Sequence, residues 1–172
     1  MYINDGTGQF SHHKEALPNY NANSSVVVPH DFNGDGALDL FVGNRIVTGV
    51  YGVNPNSVLL QNNGEGFFDN TTDLKAHGFN ELGMITDAEW VDLTGDDLKE
   101  LVVVGSWMAP KVFSYIGVYF EEQPSGLDSF KGWWDEVLSG DFNNDAKIDL
   151  LFGNKGLNAT YCGTAASPAR LY

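Results

Sequence analysis

The chain has 172 residues, 42% of them hydrophobic and 13% aromatic, with 23 Asp and Glu against 9 Lys and Arg and a formal net charge of −14. A chain of this length and apolar content buries a real core, which excludes a disordered acidic polymer. The same charge repels phosphate and so excludes nucleic acid and anionic membranes as partners. In chain order, a glycine-centred strand signature, YINDGTGQF, occupies 2–10. Strands are expected at 25–28, 38–42, 58–61 and 67–69, together forming one four-stranded antiparallel sheet with hairpin connections. A short helical stretch is expected at 73–77. Beyond it the pattern repeats, with strand signals at 92–105, 112–120 and 141–153.

Two signatures alternate along the chain. One is an acid-rich loop running into an apolar strand that ends in glycine: DFNGDGALDLFVG at 31–43, DLTGDDLKELVVVG at 92–105 and DFNNDAKIDLLFG at 141–153. The other is YINDGTGQF at 2–10, LLQNNGEGFF at 59–68 and the degraded VFSYIGVYF at 112–120, which place Gly6, Gly64 and Gly117 at one offset. Phe10 to Asp31 and Phe120 to Asp141 are each 21 residues apart, and Phe68 to Asp92 is 24. The expected organisation is a single domain over 1–172 with repeat units near 2–59, 60–112 and 113–172. Each unit suits a four-stranded antiparallel sheet, so the fold class is all-β, with about three propeller blades. Arg170, Leu171 and Tyr172 look like the start of another copy. A ring needs ~4 to 8 blades. The chain is therefore expected to be a fragment of a larger propeller or to be completed by self-assembly.

The acidic loops carry the chemistry. In the first, Asp31, Asn33, Asp35 and Asp39 stand at positions 1, 3, 5 and 9, with Gly36 at position 6. All are oxygen donors, and alternate residues of a tight loop can face one centre, with the carbonyl of Ala37 as a backbone ligand. A hard cation of calcium's size takes ~6 to 8 such oxygens, whereas magnesium demands a stricter octahedron. An EF-hand is excluded because position 12, its bidentate Glu, is Val42, Val103 and Phe152 in the three loops. Asp, Asn and Gly also dominate metal-free turns, so one loop alone is weak evidence. Three in phase favour the metal.

At these residues the chain resembles the FG-GAP or VCBS-type calcium repeats of integrin α-chain-like β-propellers, and N-N-G-x-G-x-F is similar to the companion signature of bacterial members. The resemblance implies calcium ligands at Asp31, Asn33, Asp35, Ala37 (carbonyl) and Asp39 in the first loop. It implies Asp92, Thr94, Asp96, Leu98 (carbonyl) and Glu100 in the second, and Asp141, Asn143, Asp145, Lys147 (carbonyl) and Asp149 in the third. The second loop departs from the pattern at Thr94, Asp97 and Glu100, and the third at Ala146, which stands where glycine is favoured. Occupancy by up to three Ca²⁺ is expected in the order first, third, second.

Other residues point less far. The single Cys162 has no internal disulfide partner. No apolar run approaches the ~20 residues of a membrane-spanning helix, so no membrane insertion is expected. His12 and His13 are adjacent and point to opposite faces of a strand. His30 reads as structural. Trp90, Trp107, Trp133 and Trp134 are expected to pack between blades rather than stack on sugars. Asn23, Asn70 and Asn158 begin glycosylation sequons. The function expected is a non-catalytic, calcium-binding module of a secreted, cell-surface or periplasmic protein, mediating adhesion to an extracellular protein or carbohydrate. The alternative is part of a propeller-fold glycosidase or lyase, but nearly all the patterned acids are committed as loop ligands.

Overall fold

The computed structural model describes residues 1–19 and 22–156. The strands are β1 (Tyr2–Asn4), β2 (Phe10–His12), β3 (Asn23–His30), β4 (Asp39–Ile46), β5 (Val58–Asn62), β6 (Phe68–Asn70), β7 (Met84–Val91), β8 (Glu100–Met108), β9 (Lys111–Tyr115), β10 (Phe120–Gln123), β11 (Gly132–Gly140) and β12 (Asp149–Asn154). Between β6 and β7 lie a one-turn helix, α1 (Thr72–Lys75), and a 3₁₀ turn, His77–Phe79. The chain is thus all-β, in antiparallel sheets of the kind that form propeller blades. Cys162, Asn158 and Arg170 to Tyr172 lie outside the described residues.

Strands β3, β4, β5 and β6 form one sheet in sequence order. Its register pairs Val28 with Phe41, Phe41 with Leu59 and Gln61 with Asp69. Strands β7 to β10 repeat this meander, and β11 pairs with β12. β1 and β2 form a separate hairpin equivalent to β5–β6 and β9–β10. The glycine signature is therefore the turn of the outer hairpin, while each acidic loop joins the first two strands of a sheet. The first sheet takes its leading strands from one sequence unit and its outer hairpin from the next.

The sheets stack face to face, which explains the unbroken apolar run of β8. A strand covered on both sides needs no polar alternation. Leu101 and Val103 point into a cluster shared with Phe41, Leu59, Ile85, Trp90, Phe113 and Phe120. Val102 and Val104 point the other way, toward Val137, Trp134, Leu150 and Phe152. On its far side the first sheet buries Val42, Val58, Leu60 and Phe68. Gly43 permits close stacking, since a Cβ there would meet Ile85 Cγ2 at 2.7 Å.

The helical stretch differs from the expected 73–77. It starts at Thr72, breaks after Lys75 and resumes as the 3₁₀ turn, because Phe79 must reach the interface between the sheets. Phe79 is completely buried and meets Phe41 and Phe113 edge-on, at centroid distances of 5.1 and 5.2 Å. Burying a side chain of this size contributes about 2 to 3 kcal/mol.

Polar links fix the stacking angle. The register shifts between Ser24 and Val26 and between Ile85 and Asp87 leave Ser25 and Thr86 as the extra residues of bulges. Ser25 Oγ donates to Ile85 O at 2.6 Å, and Thr86 Oγ1 donates to Trp134 O at 2.8 Å, each reaching the following sheet. From β7, Asp87 accepts from Val137 N at 3.0 Å and Glu89 accepts from Ser139 Oγ at 2.6 Å.

Candidate functional site

The three acidic loops share one hydrogen-bonding scheme, and the sequence dictates it locally. The carboxylate at position 1 turns inward and accepts from the backbone of its own loop. Asp31 takes Gly34 N at 2.8 Å, Asp35 N at 3.1 Å and Gly36 N at 2.8 Å. Asp92 does the same with Gly95, Asp96 and Asp97, and Asp141 with Asp145 and Ala146. Position 5 accepts from position 7: Asp35 from Ala37 N, Asp96 from Leu98 N and Asp145 from Lys147 N, all at 2.9 Å. These short acids replace the ladder that the turning backbone lacks.

Position 6 adopts a left-handed backbone in every loop, with φ of +89° at Gly36, +68° at Asp97 and +64° at Ala146. Only the first loop has glycine there. The departures at position 6, Asp97 and Ala146, are therefore accommodated by strain, not by a different turn.

Position 9 anchors the loop to its sheet. Glu100 Oε2 accepts from Leu93 N at 2.9 Å, and Asp149 Oδ2 accepts from Phe142 N at 3.1 Å. Asp39 sits deepest, 1% exposed, and its Oδ1 accepts from Asn62 N at 2.8 Å on the outer hairpin. Its Oδ2 is buried without a partner. Burial pushes the Asp39 carboxyl above the ordinary carboxylate range, against the pull of the Asn62 N–H bond and of the nearby Phe32 N–H, and the charges of Asp35 and Asp31 add to the rise. In the second loop the corresponding spare oxygen, Glu100 Oε1, accepts from Ser114 Oγ at 3.4 Å.

The acids nearer the surface behave oppositely. Asp35 is held below its ordinary value by the bond from Ala37 and by Asn33 Nδ2, which donates to its Oδ2 at 2.8 Å. For Asp92 and Asp141, burial pushes up but the backbone N–H bonds outweigh it, and both carboxyls sit low.

Among the described residues no three His, Cys, Asp or Glu side chains converge as a group able to hold a metal ion. Asp31, Asn33, Asp35 and Asp39 are gathered in one loop, but the first three spend their oxygens largely on the loop backbone and on one another. Thr94 and Asn143 occupy matching places, with Asn143 Oδ1 accepting from Asp145 N at 2.9 Å. The donor set is oxygen throughout, and a buried carboxylate oxygen with no partner is what a hard cation satisfies. On that test the first loop fits calcium best. The second fits least, because Ser114 already engages its spare oxygen.

Lys75 is a neighbour that the loop spacing does not disclose. It comes from α1, donates to Gln61 Oε1 at 2.9 Å and lies 5.4 Å over the Phe32 ring. Its positive charge contributes to the lowering at Asp35. Only the tertiary packing of α1 on β5 brings it there. His30 packs against Trp90 at 4.9 Å and is held below the ordinary histidine value by burial and by the charge of Lys99. His12 and His13 contact different rings, Tyr2 and Phe67.

No curated protein matches the chain. Residues 1–42 match the FG-GAP-like repeat, a span that holds the β1–β2 hairpin, β3, the first acidic loop and the start of β4. Residues 1–42 therefore carry an FG-GAP-like repeat, which together with the antiparallel sheets suggests a propeller-type repeat module.

Proposed function

We propose that the chain is a calcium-stabilised, non-catalytic binding module of a secreted or cell-surface protein. The observation that carries this reading is the buried, unpartnered Asp39 Oδ2 at the base of an oxygen-only loop. Leaving such an oxygen unsatisfied costs about 1 to 3 kcal/mol. Gathering Asp31, Asp35 and Asp39 in one loop adds repulsion that a dication reverses. Asp31, Asn33, Asp35, the Ala37 carbonyl and Asp39 would hold calcium, which would lock the hairpin between β3 and β4. The corresponding residues of the third loop, from Asp141 to Asp149, would hold a second ion more weakly. The ion's role is structural, so a partner would be met elsewhere on the surface.

The test is thermal unfolding of the chelator-stripped chain with and without calcium. At calcium a hundredfold above Kd, binding adds about 2.7 kcal/mol. At ~2 to 4 °C per kcal/mol for a chain of this size, Tm rises by roughly 5 to 10 °C. Identical melting in calcium and in chelator refutes the reading. Turnover of a polysaccharide by the purified chain would overturn its non-catalytic part.

A further inference from the structure

The end of the sheets away from the acidic loops gathers side chains from the β4–β5 connection, from β8 and from β11, which pairs with β8 at that end. β4, β8 and β12 end there and β11 begins there, because each acidic loop turns the chain at the opposite end. Tyr51, in the β4–β5 connection, is 60% exposed, and its hydroxyl accepts from Trp107 Nε1 at 3.0 Å. The Trp107 ring lies 5.2 Å from that of Trp133 at an interplanar angle of 34°. Lys155 Nζ stands 5.0 Å over the Trp133 ring and 3.6 Å from Asp135 Oδ1.

Trp107 is held there by a strained backbone. It falls between Ser106 and Met108, which pair with Trp133 and Gly132 across a register shift, so it is the extra residue of a bulge. Its φ is +66°. A bulky residue is an outlier in that conformation, where glycine would be free. Bulges re-aim side chains, and strain of this kind gathers at binding and catalytic sites.

The two other tryptophans show what purely structural ones do here. Trp90 and Trp134 lie against the clusters between sheets, and their indole nitrogens donate to backbone carbonyls, Val28 O for Trp90 and both Met108 O and Phe130 O for Trp134. Trp107 donates instead to an exposed hydroxyl. Trp133 Nε1 is buried with no partner.

We infer that Tyr51, Trp107 and Trp133 form a platform for a carbohydrate chain. The inference deepens the binding-module reading and rests on it. Pyranose rings present C–H faces that stack on aromatic rings, and hydroxyls that need donors and acceptors at the margin. The Tyr51 hydroxyl, which keeps its own proton to donate, the Asp135 carboxylate and the Lys155 ammonium supply them. A nucleobase would stack equally well, but the net charge of −14 repels its backbone. An apolar protein anchor would leave the ion pair and the hydroxyl unused, although Val50 and Val53 beside Tyr51 are also exposed.

The experiment is native affinity electrophoresis in gels containing hydroxyethyl cellulose, xylan, galactomannan, mixed-linkage β-glucan or alginate, run in calcium. Retardation by at least one polysaccharide is expected, with a tenfold or greater loss of affinity in Tyr51→Ala and Trp107→Gly. Trp107→Gly relieves the φ strain but also loses the ring contact with Trp133 and the bond to Tyr51, so its affinity is compared only where its far-ultraviolet circular dichroism matches that of wild type. If Trp107→Gly fails to fold, Tyr51→Ala still decides, since its side chain is exposed. Absence of retardation across the panel, retention of full affinity by Tyr51→Ala, or binding at this surface of a protein partner alone overturns the inference. A wild-type chain that melts higher in calcium yet is retarded by nothing refutes the platform and leaves the calcium reading intact. Retardation without a calcium shift does the reverse.

Discussion

Ala146→Gly should stabilise the protein, and the size of the gain follows from one dihedral angle. Ala146 holds φ at +64°, the position that glycine fills in the first loop as Gly36 at +89°. A left-handed conformation costs an ordinary L-residue about 1 to 2 kcal/mol. Glycine removes that cost but loses more freedom on folding, which returns about 0.4 to 1 kcal/mol. The net gain is about 0.5 to 1 kcal/mol, or a rise in Tm of roughly 1 to 4 °C. The mirror variant, Gly36→Ala, should lose about the same net amount with no steric clash added to it, because nothing lies within 4 Å of a Cβ built at Gly36. Calorimetric melting of both variants in chelator measures the backbone term without any ion. A fall in Tm for Ala146→Gly, or no change for Gly36→Ala, refutes the claim that the three loops share one left-handed turn at position 6.

Other outcomes follow from the packing and the charges. Phe79→Ala should lose about 3 to 5 kcal/mol in urea unfolding, since the ring is completely buried between Phe41 and Phe113. A loss under 1 kcal/mol would mean that the sheets do not meet on it. Ser25→Ala removes the bond to Ile85 O and should cost about 1 kcal/mol in the same assay. A neutral substitution would show that the sheets stack without this link. Asp39 has a folded-state carboxyl raised above 3.8. Its contribution to stability in chelator is therefore present below 3.8 and lost as pH rises through the raised value. Asp39→Asn should accordingly gain stability relative to wild type as pH rises toward neutrality, and a difference independent of pH contradicts this. If the first loop binds calcium as proposed, the sign reverses in calcium, because the affinity of wild type would fall as protons return to Asp39.

The legible part of the fold was the part with local causes. Acid-rich turns and glycine-centred hairpins announced the strand boundaries near 38–42 and 58–61, because Asp, Asn and Gly determine their own backbone. β3 and β4 extend to Asn23 and Ile46, through polar residues that the pattern did not mark as strand, since backbone pairing across a bulge does not depend on apolar side chains. Phe79 gave no signal at all: a lone aromatic among polar residues has no period, and only stacking of the sheets makes it a keystone. The same holds at the loops. Their acidic and amide side chains and the turns these make were readable, while the burial of Asp39, the Ser114 hydroxyl on Glu100 and the approach of Lys75 all come from β5, β9 and α1 across the sheet. The expectation that all four tryptophans pack between sheets fits Trp90 and Trp134. Trp107 and Trp133 were indistinguishable from them in sequence, because a bulge register is set by pairing partners.

The first acidic loop is proposed to bind calcium through the buried Asp39 carboxylate. Calorimetric titration of the chelator-stripped chain with calcium, for wild type and Asp39→Asn side by side, tests it most directly. Wild type should show at least one saturable site, and Asp39→Asn should lose the tightest one while keeping its far-ultraviolet circular dichroism and any weaker site. No saturable heat in wild type, or an isotherm unchanged by Asp39→Asn, contradicts the claim.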